Sequence, residues 1–574
     1  MSFLLMSVLL LSMPPPFPLE QIERGQRGEC LTVFEGDTVE PFPFVVKGLM
    51  KNFHGPGRDV VLVRLEGEKA EFTGVVAGMS GSPCSIDGKL VGALAYAFAM
   101  FAKEPIAGIT PIGTMQEVRE LPMEKRPWRL SVDADADADW KAMRAGVAPP
   151  HKQAEGARPI AAPLSLGGVP PSVRDYFSPY LQTLGFEPVA GGTAGGGEAT
   201  VLVPGGAVSA VLVSGDIDIA ATGTVTVVEG NEVLAFGHPF FGAGAISIPM
   251  ASATILNTMV SSMRSFKMAN IGPIVGEVTQ DRLVAIGGVL GRVPATVPVR
   301  GTVVTAKGKE TFKLEIARDQ ELTPRFLAIG MASAIAGRVD TGVRGIVHLN
   351  AKITVDGIEP VLIREVYAAE RDPNLFVYAA IDVAQAFSVL WDTPFGPPPR
   401  MAVDLEISFR QDPIHEWVEA IYVDRTNPKP GEFLEVAVRL RRHHGDNHVE
   451  RFLLEVPGSW ADQSVELYAT GVGGAESLAE TVAGEPLPTE LGQIGDWLNG
   501  RRVDGRLYLM AVRSGSGMRS GVVALPFLPP SAVAIHSSDP TKERTSRGLT
   551  WEESRERPGV VSGQAKITVS VSSR

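Results

Sequence analysis

Apolar residues in this chain come in short runs that end at Gly, Pro, Asn or Asp, and many alternate with polar neighbours. A period of two broken by turn residues predicts strands and hairpins, not long amphipathic helices. Between residues 22 and 116 the runs 31–34, 42–46, 60–65 and 90–98 predict one compact β unit. Before its last run stands Gly78-Met79-Ser80-Gly81-Ser82-Pro83, which leads through residues 84–86 to Asp87-Gly88, a strong two-residue hairpin signal. Strand patterning returns in residues 201–310, at 208–213, 223–228 and 233–235. Residues 311–410 predict a further β-rich extension with one helix near 324–336. Residues 411–530 predict an immunoglobulin-like sandwich with strands at 433–440, 451–456 and 507–512, followed over 531–574 by a polar tail with a last strand near 565–571.

Residues 117–200 interrupt this pattern. The alternating run Asp133 to Asp139 and the glycine-rich run 191–197 predict solvated connections, with a short helix over 172–184 between them. The glycine-rich run has no following Lys-Ser or Lys-Thr pair, so a nucleotide loop is rejected.

Hydrophobic residues at 44% and charged residues at 21% describe a globular chain, and 62 Gly with 44 Pro favour β architecture. A net charge of -12 argues against a nucleic-acid surface, which needs clustered Lys and Arg. Residues 1–21 begin with an apolar run closed by Pro14-Pro15-Pro16, too short to span a bilayer and similar to the apolar core of a signal peptide. It lacks a basic leader and a small-residue cleavage site; a periplasmic or secreted location and no integral membrane span are the expectation. The two cysteines, Cys30 and Cys84, either pair across the serine-bearing unit or stay as buried thiols. No metal or organic cofactor is implied: there is no Cys-x-x-Cys or His-Glu-x-x-His, and His443, His444 and His448 sit in a charged, turn-like stretch.

The chemistry lies in the residue 78–83 turn. Glycines on both sides of Ser80 admit unusual dihedrals and close approach of a substrate carbonyl, as a nucleophilic serine requires. The N–H groups of Gly78 and Ser80 are then the natural oxyanion donors. A turn, strand, hairpin and second strand of this kind is how chymotrypsin-like serine peptidases carry their nucleophile, with the second strand bordering the pocket for the residue before the scissile bond. Here Ala93, Ala95 and Ala97 alternate with Leu94, Tyr96 and Phe98 in that strand. By itself the turn also reads as an ordinary Gly/Ser connection. For the general base, His238 lies between Gly237 and Pro239 in an apolar segment, and His54 in a loop of the serine unit is its rival.

Gly78 to Pro83, the following Gly88-Lys89-Leu90-Val91-Gly92-Ala93 and, separately, Ala235-Phe236-Gly237-His238 resemble the SpoIVB peptidase family, with Gly276-Glu277-Val278 and residues 286–291 as a third similar block. The resemblance implies a mainly β, chymotrypsin-like double-barrel peptidase unit, here apparently permuted, ahead of the C-terminal β-sandwich. It implies a Ser-His-acid serine endopeptidase acting on protein or peptide substrates, with Ser80 as nucleophile and His238 as base. Glu66 is the carboxylate nearest the family's aspartate, with Asp59 and Asp216 as alternatives. The family's founding protein has its histidine block before its serine block, the reverse of this chain, and its PDZ-like domain has no clear counterpart here. A non-catalytic secreted β protein that kept the scaffold is the alternative, with an envelope protein as partner of the C-terminal β domain. A Ser-Lys dyad through Lys103 is a third reading.

Overall fold

The computed structural model describes residues 14–98, 103–122, 134–148, 158–193, 200–339, 345–369, 374–393, 395, 400–411, 414–442, 445, 447–483, 488, 490–520, 523–536 and 542–573. The apolar leader up to Met13, and His443 and His444, lie outside these residues. The chain forms two compact units, residues 1–299 with 313–337, and residues 300–312 with 338–574.

The first unit opens with strands β1 (Arg27–Val33), β2 (Val39–Met50), β3 (Val60–Leu65), β4 (Pro83–Ile86), β5 (Lys89–Ala97) and β6 (Ile106–Pro111). They pair in the order β1-β2-β3-β6-β5-β4, and β4 pairs back with β1, so the six strands close into a barrel. Its interior holds Phe44, Val61, Val63, Leu65, Leu94 and Ile109, the inward members of the alternating runs. Asp87 and Gly88 both take positive φ, 50° and 71°, as the β4–β5 hairpin turn requires. Cys30 and Cys84 stand opposite one another on β1 and β4 and are joined by a disulfide. A crosslink over 54 residues of sequence stabilises by about 4 kcal/mol in the loop-entropy account. It also ties the strand that follows the serine turn to the first strand of the barrel.

Next come β7 (Arg158–Pro159), β8 (Ala162–Gly167), β9 (Phe186–Thr193), β10 (Ala207–Gly215), β11 (Asp218–Glu229), β12 (Glu232–Ala235), β13 (Gly244–Met259), β14 (Phe266–Arg282) and β15 (Ala285–Leu290). Strands β10 to β15 pair in the order β10-β11-β12-β15-β14-β13, and β13 pairs back with β10. This is a second closed ring of six with the same strand order as the first. The two barrels pack through two apolar clusters: Leu90, Ala93, Ile112 and Met115 against Val227, Leu234 and Ala285, and Val33 against Ala207, Ala253, Ile255 and Ala269.

The described residues between 117 and 200 are more ordered than their composition suggests, while residues 194–197 of the glycine-rich run lie outside them. The parallel pair β8–β9 attaches to β11 and β14, and helix Pro171–Thr183 links the two strands. The aspartate run starts a helix, Ala134–Ala145, whose Asp139 pairs with Arg325 on the buried helix Leu322–Ala336. Alternating Asp and Ala hides this helix from a low-complexity reading, because the partner that holds it is remote in sequence.

In the second unit, strands Gly345–Val355, Val361–Ala369 and Met401–Arg410 form an antiparallel group beside helix Leu375–Trp391. Further on, one sheet holds His415–Val423, Phe433–Arg442 and His448–Glu455, and a second holds Ser464–Thr470, Arg506–Ser520 and Gln564–Ser570. Val436 and Phe452 of one sheet share a core with Leu467, Leu509 and Val569 of the other, which makes the C-terminal β-sandwich. The expected polar tail contains a fifteen-residue strand, Lys542–Glu556, held along Arg506–Ser520. Among the described residues no helix is long and apolar enough to cross a membrane.

Candidate active site

Ser80 lies on the connection between the third and fourth strands of the first barrel, and His238 on the same connection of the second. β11 brings the two loops together. Thr224 N–H donates to the carbonyl of Ser80 at 2.8 Å, Thr224 Oγ1 to Gly78 O at 2.9 Å, and Thr226 Oγ1 to Gly81 O at 2.8 Å. On the same edge of β11, Thr224 O accepts from Phe236 N–H at 3.3 Å, two residues before the histidine. The His238 segment is also clamped by the first barrel, because Thr110 Oγ1 donates to Gly237 O at 2.6 Å. An added Cβ on Gly237 would stand 2.9 Å from the Ala93 Cβ.

Within the serine turn the amides divide into two sets. Ala77 donates to Ser265 O, Met79 to Val76 O and Gly81 to Leu94 O, whereas among the described residues the N–H groups of Gly78 and Ser80 make no hydrogen bond. Ser80 is 0% exposed and His238 3% exposed. Among the described residues neither Ser80 Oγ nor His238 Nε2 has a hydrogen-bond partner, so no bond joins them in this conformation. Catalytic hydrogen bonds are often long in ligand-free enzymes and tighten in the substrate complex.

His238 Nδ1 faces the Pro239 carbonyl at 2.8 Å, an acceptor that keeps the proton on Nδ1 and leaves the Nε2 lone pair unprotonated. Burial lowers its pKa to about 4, against the opposing pull of the Pro239 and Ile160 backbone. The ring is therefore neutral throughout the neutral pH range.

Glu66 does not face this ring in any hydrogen bond of the described residues. One of its carboxylate oxygens pairs with Arg64 at 2.5 Å and the other with Arg27 at 2.9 Å, and the Arg64 bond first among these contacts holds its pKa below the usual carboxylate range. Asp59 accepts from Asn52 N–H and Asp216 from Lys313 N–H. His54 packs its ring on Phe53 and Tyr96, with centroids 4.5 and 4.7 Å away. Lys103 is exposed at the rim of a cavity near the serine turn.

Two further residues shape the site without having stood out in the sequence. Asp281, at the end of β14, is fully buried and accepts from three backbone N–H groups, those of Phe240 at 2.7 Å, Phe241 at 2.8 Å and Ala243 at 3.1 Å. It thereby fixes the loop that leaves His238. Its place between two glycine-bearing blocks, residues 276–278 and 286–291, is the only sequence signal for it. Lys267 is fully buried beneath the serine turn: its N–H donates to Ala77 O, its side chain packs under Gly78, and its ammonium nitrogen bonds Thr32 Oγ1 at 2.7 Å. Burial lowers the Lys267 pKa to about 7. An unfolded chain keeps that lysine protonated up to about 10.5, so the native state gains stability as pH rises from about 7 to 10.5 and loses it on the way back down. Lys267→Met is expected to raise stability near pH 7 and to flatten this dependence, worth about 1.4 kcal/mol per pH unit, in paired denaturation curves at pH 7 and 9. Curves that stay parallel to wild type would show that the lysine is charged in the native state.

Twin six-stranded barrels of one strand order, with a serine and a histidine on equivalent loops turned toward a shared strand, define a chymotrypsin-like peptidase scaffold. Residues 17–110 match the family model described as SpoIVB peptidase S55, and the chain is similar to those peptidases over the segment that contains the Ser80 turn. No match is found among curated proteins or among solved structures.

Proposed function

We propose that the protein is a serine endopeptidase in which Ser80 attacks the substrate carbonyl, His238 Nε2 takes and returns the proton, and the N–H groups of Gly78 and Ser80 hold the oxyanion. The observation that carries this reading is the meeting of the two loops at Thr224, whose N–H bonds the serine turn and whose carbonyl bonds the histidine segment on the same edge of β11. The two unbonded amides and the unprotonated, buried imidazole fit the roles assigned to them. The match to a peptidase family makes protein or peptide the substrate class. Glu66 remains the family-derived candidate for the acid; in the conformation described, the Pro239 carbonyl stands at Nδ1 and Asp281 holds the loop. The Cys30–Cys84 disulfide supports an exported, oxidising location, where the C-terminal sandwich would meet envelope partners.

The absence of a carboxylate from Nδ1 favours a second reading, a peptide-binding protein on a peptidase scaffold. A fluorophosphonate probe separates the two. The peptidase reading expects covalent labelling of full-length protein at Ser80, abolished in Ser80→Ala and reduced about a thousandfold or more in His238→Ala. A folded protein that takes no label at Ser80, even with the cleft opened as described below, would leave the binding reading standing.

A further inference from the structure

β4 leaves β5 early. Their pairing ends at Pro83 opposite Ala93, because the chain before Pro83 turns away to form the serine loop. Gly81 N–H and Ser82 O still bond Leu94, and beyond that point the edge of β5 is open to another strand. An exposed strand edge beside a nucleophile is where an extended peptide adds by main-chain hydrogen bonds.

The edge is taken by the chain itself. Ile160 N–H donates to Ala95 O at 2.8 Å, and Pro159 and Arg158 stand antiparallel to Tyr96 and Ala97. Ile160 is 3% exposed, packed in the apolar cluster that includes Val75 and Ala97. From Ile160 the chain runs on past the serine turn, so that Pro163 Cγ lies 3.2 Å from where a Cβ on Gly78 would be. The Ile160 backbone is also one of the two groups that favour proton uptake by the His238 ring. Val75, Ala77, Ala97 and Ile160, with Glu71 and Arg264 among polar neighbours, line a cavity of ≈ 460 Å³ at this place. Residues 158–163 thus touch the β5 edge, this cavity and the Gly78 amide turn in succession, the order in which a bound peptide would cross the site. Ser80 itself is closed to solvent.

We propose that Arg158–Ala161 is a tethered occupant of the peptide cleft, held in substrate register with Ile160 before the bond turned toward Ser80, and that the cleft therefore takes extended peptides carrying a branched aliphatic residue at that position. The proposal rests on the assignment of Ser80 and His238 as the reacting pair. Binding in cis makes the full-length protein self-occluded. An added peptide competes against a segment whose effective concentration is set by its tether.

The test uses full-length protein with Ile160→Asp, the milder Ile160→Ala, which truncates the anchor with least risk to folding, and Ile160→Val as the conservative control. Two measurements are made: amide hydrogen exchange over residues 95–97 and 158–160, and the rate of fluorophosphonate labelling at Ser80. The expected result is protection of both segments in wild type and in Ile160→Val. In Ile160→Asp and Ile160→Ala protection is lost and labelling is about tenfold faster or more. Unprotected amides in wild type, or equal labelling rates in all four proteins, would overturn the proposal. If the amides are protected and then released as expected but no protein is labelled, the tethered strand stands and the peptidase assignment fails.

Discussion

Gly81→Ala is expected to abolish Ser80 labelling and to destabilise the first unit by about 4 kcal/mol or more, the range reserved for substitutions that strain a special backbone position or force the core apart. Gly81 has φ +98°, and its missing Cβ would stand 1.9 Å from Thr224 O and 2.5 Å from Phe236 N. Both atoms belong to the second barrel's backbone, and they are the two partners of the hydrogen bond that sets the histidine segment on β11. No side chain can rotate away to make room. The serine turn must retreat from β11 or the Phe236 bond must break, and either movement shifts Ser80 relative to His238. Thermal denaturation and fluorophosphonate labelling measured together check this. A variant with wild-type midpoint and wild-type labelling would mean that the two loops do not meet as described.

The second large effect is expected at Asp281. Asp281→Ala removes the acceptor of three backbone N–H groups in the turn after His238, and leaving buried donors unpaired costs about 1–3 kcal/mol for each. An opposing effect reduces the total. Burial raises the Asp281 pKa despite those three bonds, so the ionised carboxylate is itself held at a cost. With a folded pKa above the unfolded one, that cost is absent in acid and grows as pH rises through the folded value. The net expectation is a loss of about 3 kcal/mol at neutral pH. Asp281→Asn should lose less, because it keeps one acceptor and drops the charge. Both variants should label more slowly at Ser80, since the loop that aims His238 is released; denaturation midpoints with labelling rates check the order wild type, Asn, Ala. A fully stable Asp281→Ala that still labels at the wild-type rate would remove Asp281 from the positioning of the histidine.

Much of the site was legible because it depends on neighbours in the chain. The glycines around Ser80, the Asp87-Gly88 turn and the alternation of β5 are local devices, and the backbone takes the dihedrals they call for. The double barrel was expected from the resemblance, and the paired strand orders bear it out. His238 was singled out from a Gly-His-Pro step, yet only its equivalent position in the second barrel explains why a histidine so distant from Ser80 in sequence faces the same strand. Residues 158–161 gave no signal. Their composition is that of a connection, and their importance comes from the β5 edge that they cover.

By itself, then, the chain's pattern determined the β class, the serine turn with its hairpin, and the resemblance to a peptidase family, since strand alternation and turn dihedrals are set within a few residues. The choice between paired and free cysteines, the setting of the serine and histidine loops on β11, the carbonyl at Nδ1 and the short strand on the β5 edge were decided only by tertiary structure. Each of these depends on which edge or face of one barrel meets another segment. That outcome is governed by closure of the strand rings and by burial between them, and no periodicity within a single strand records it.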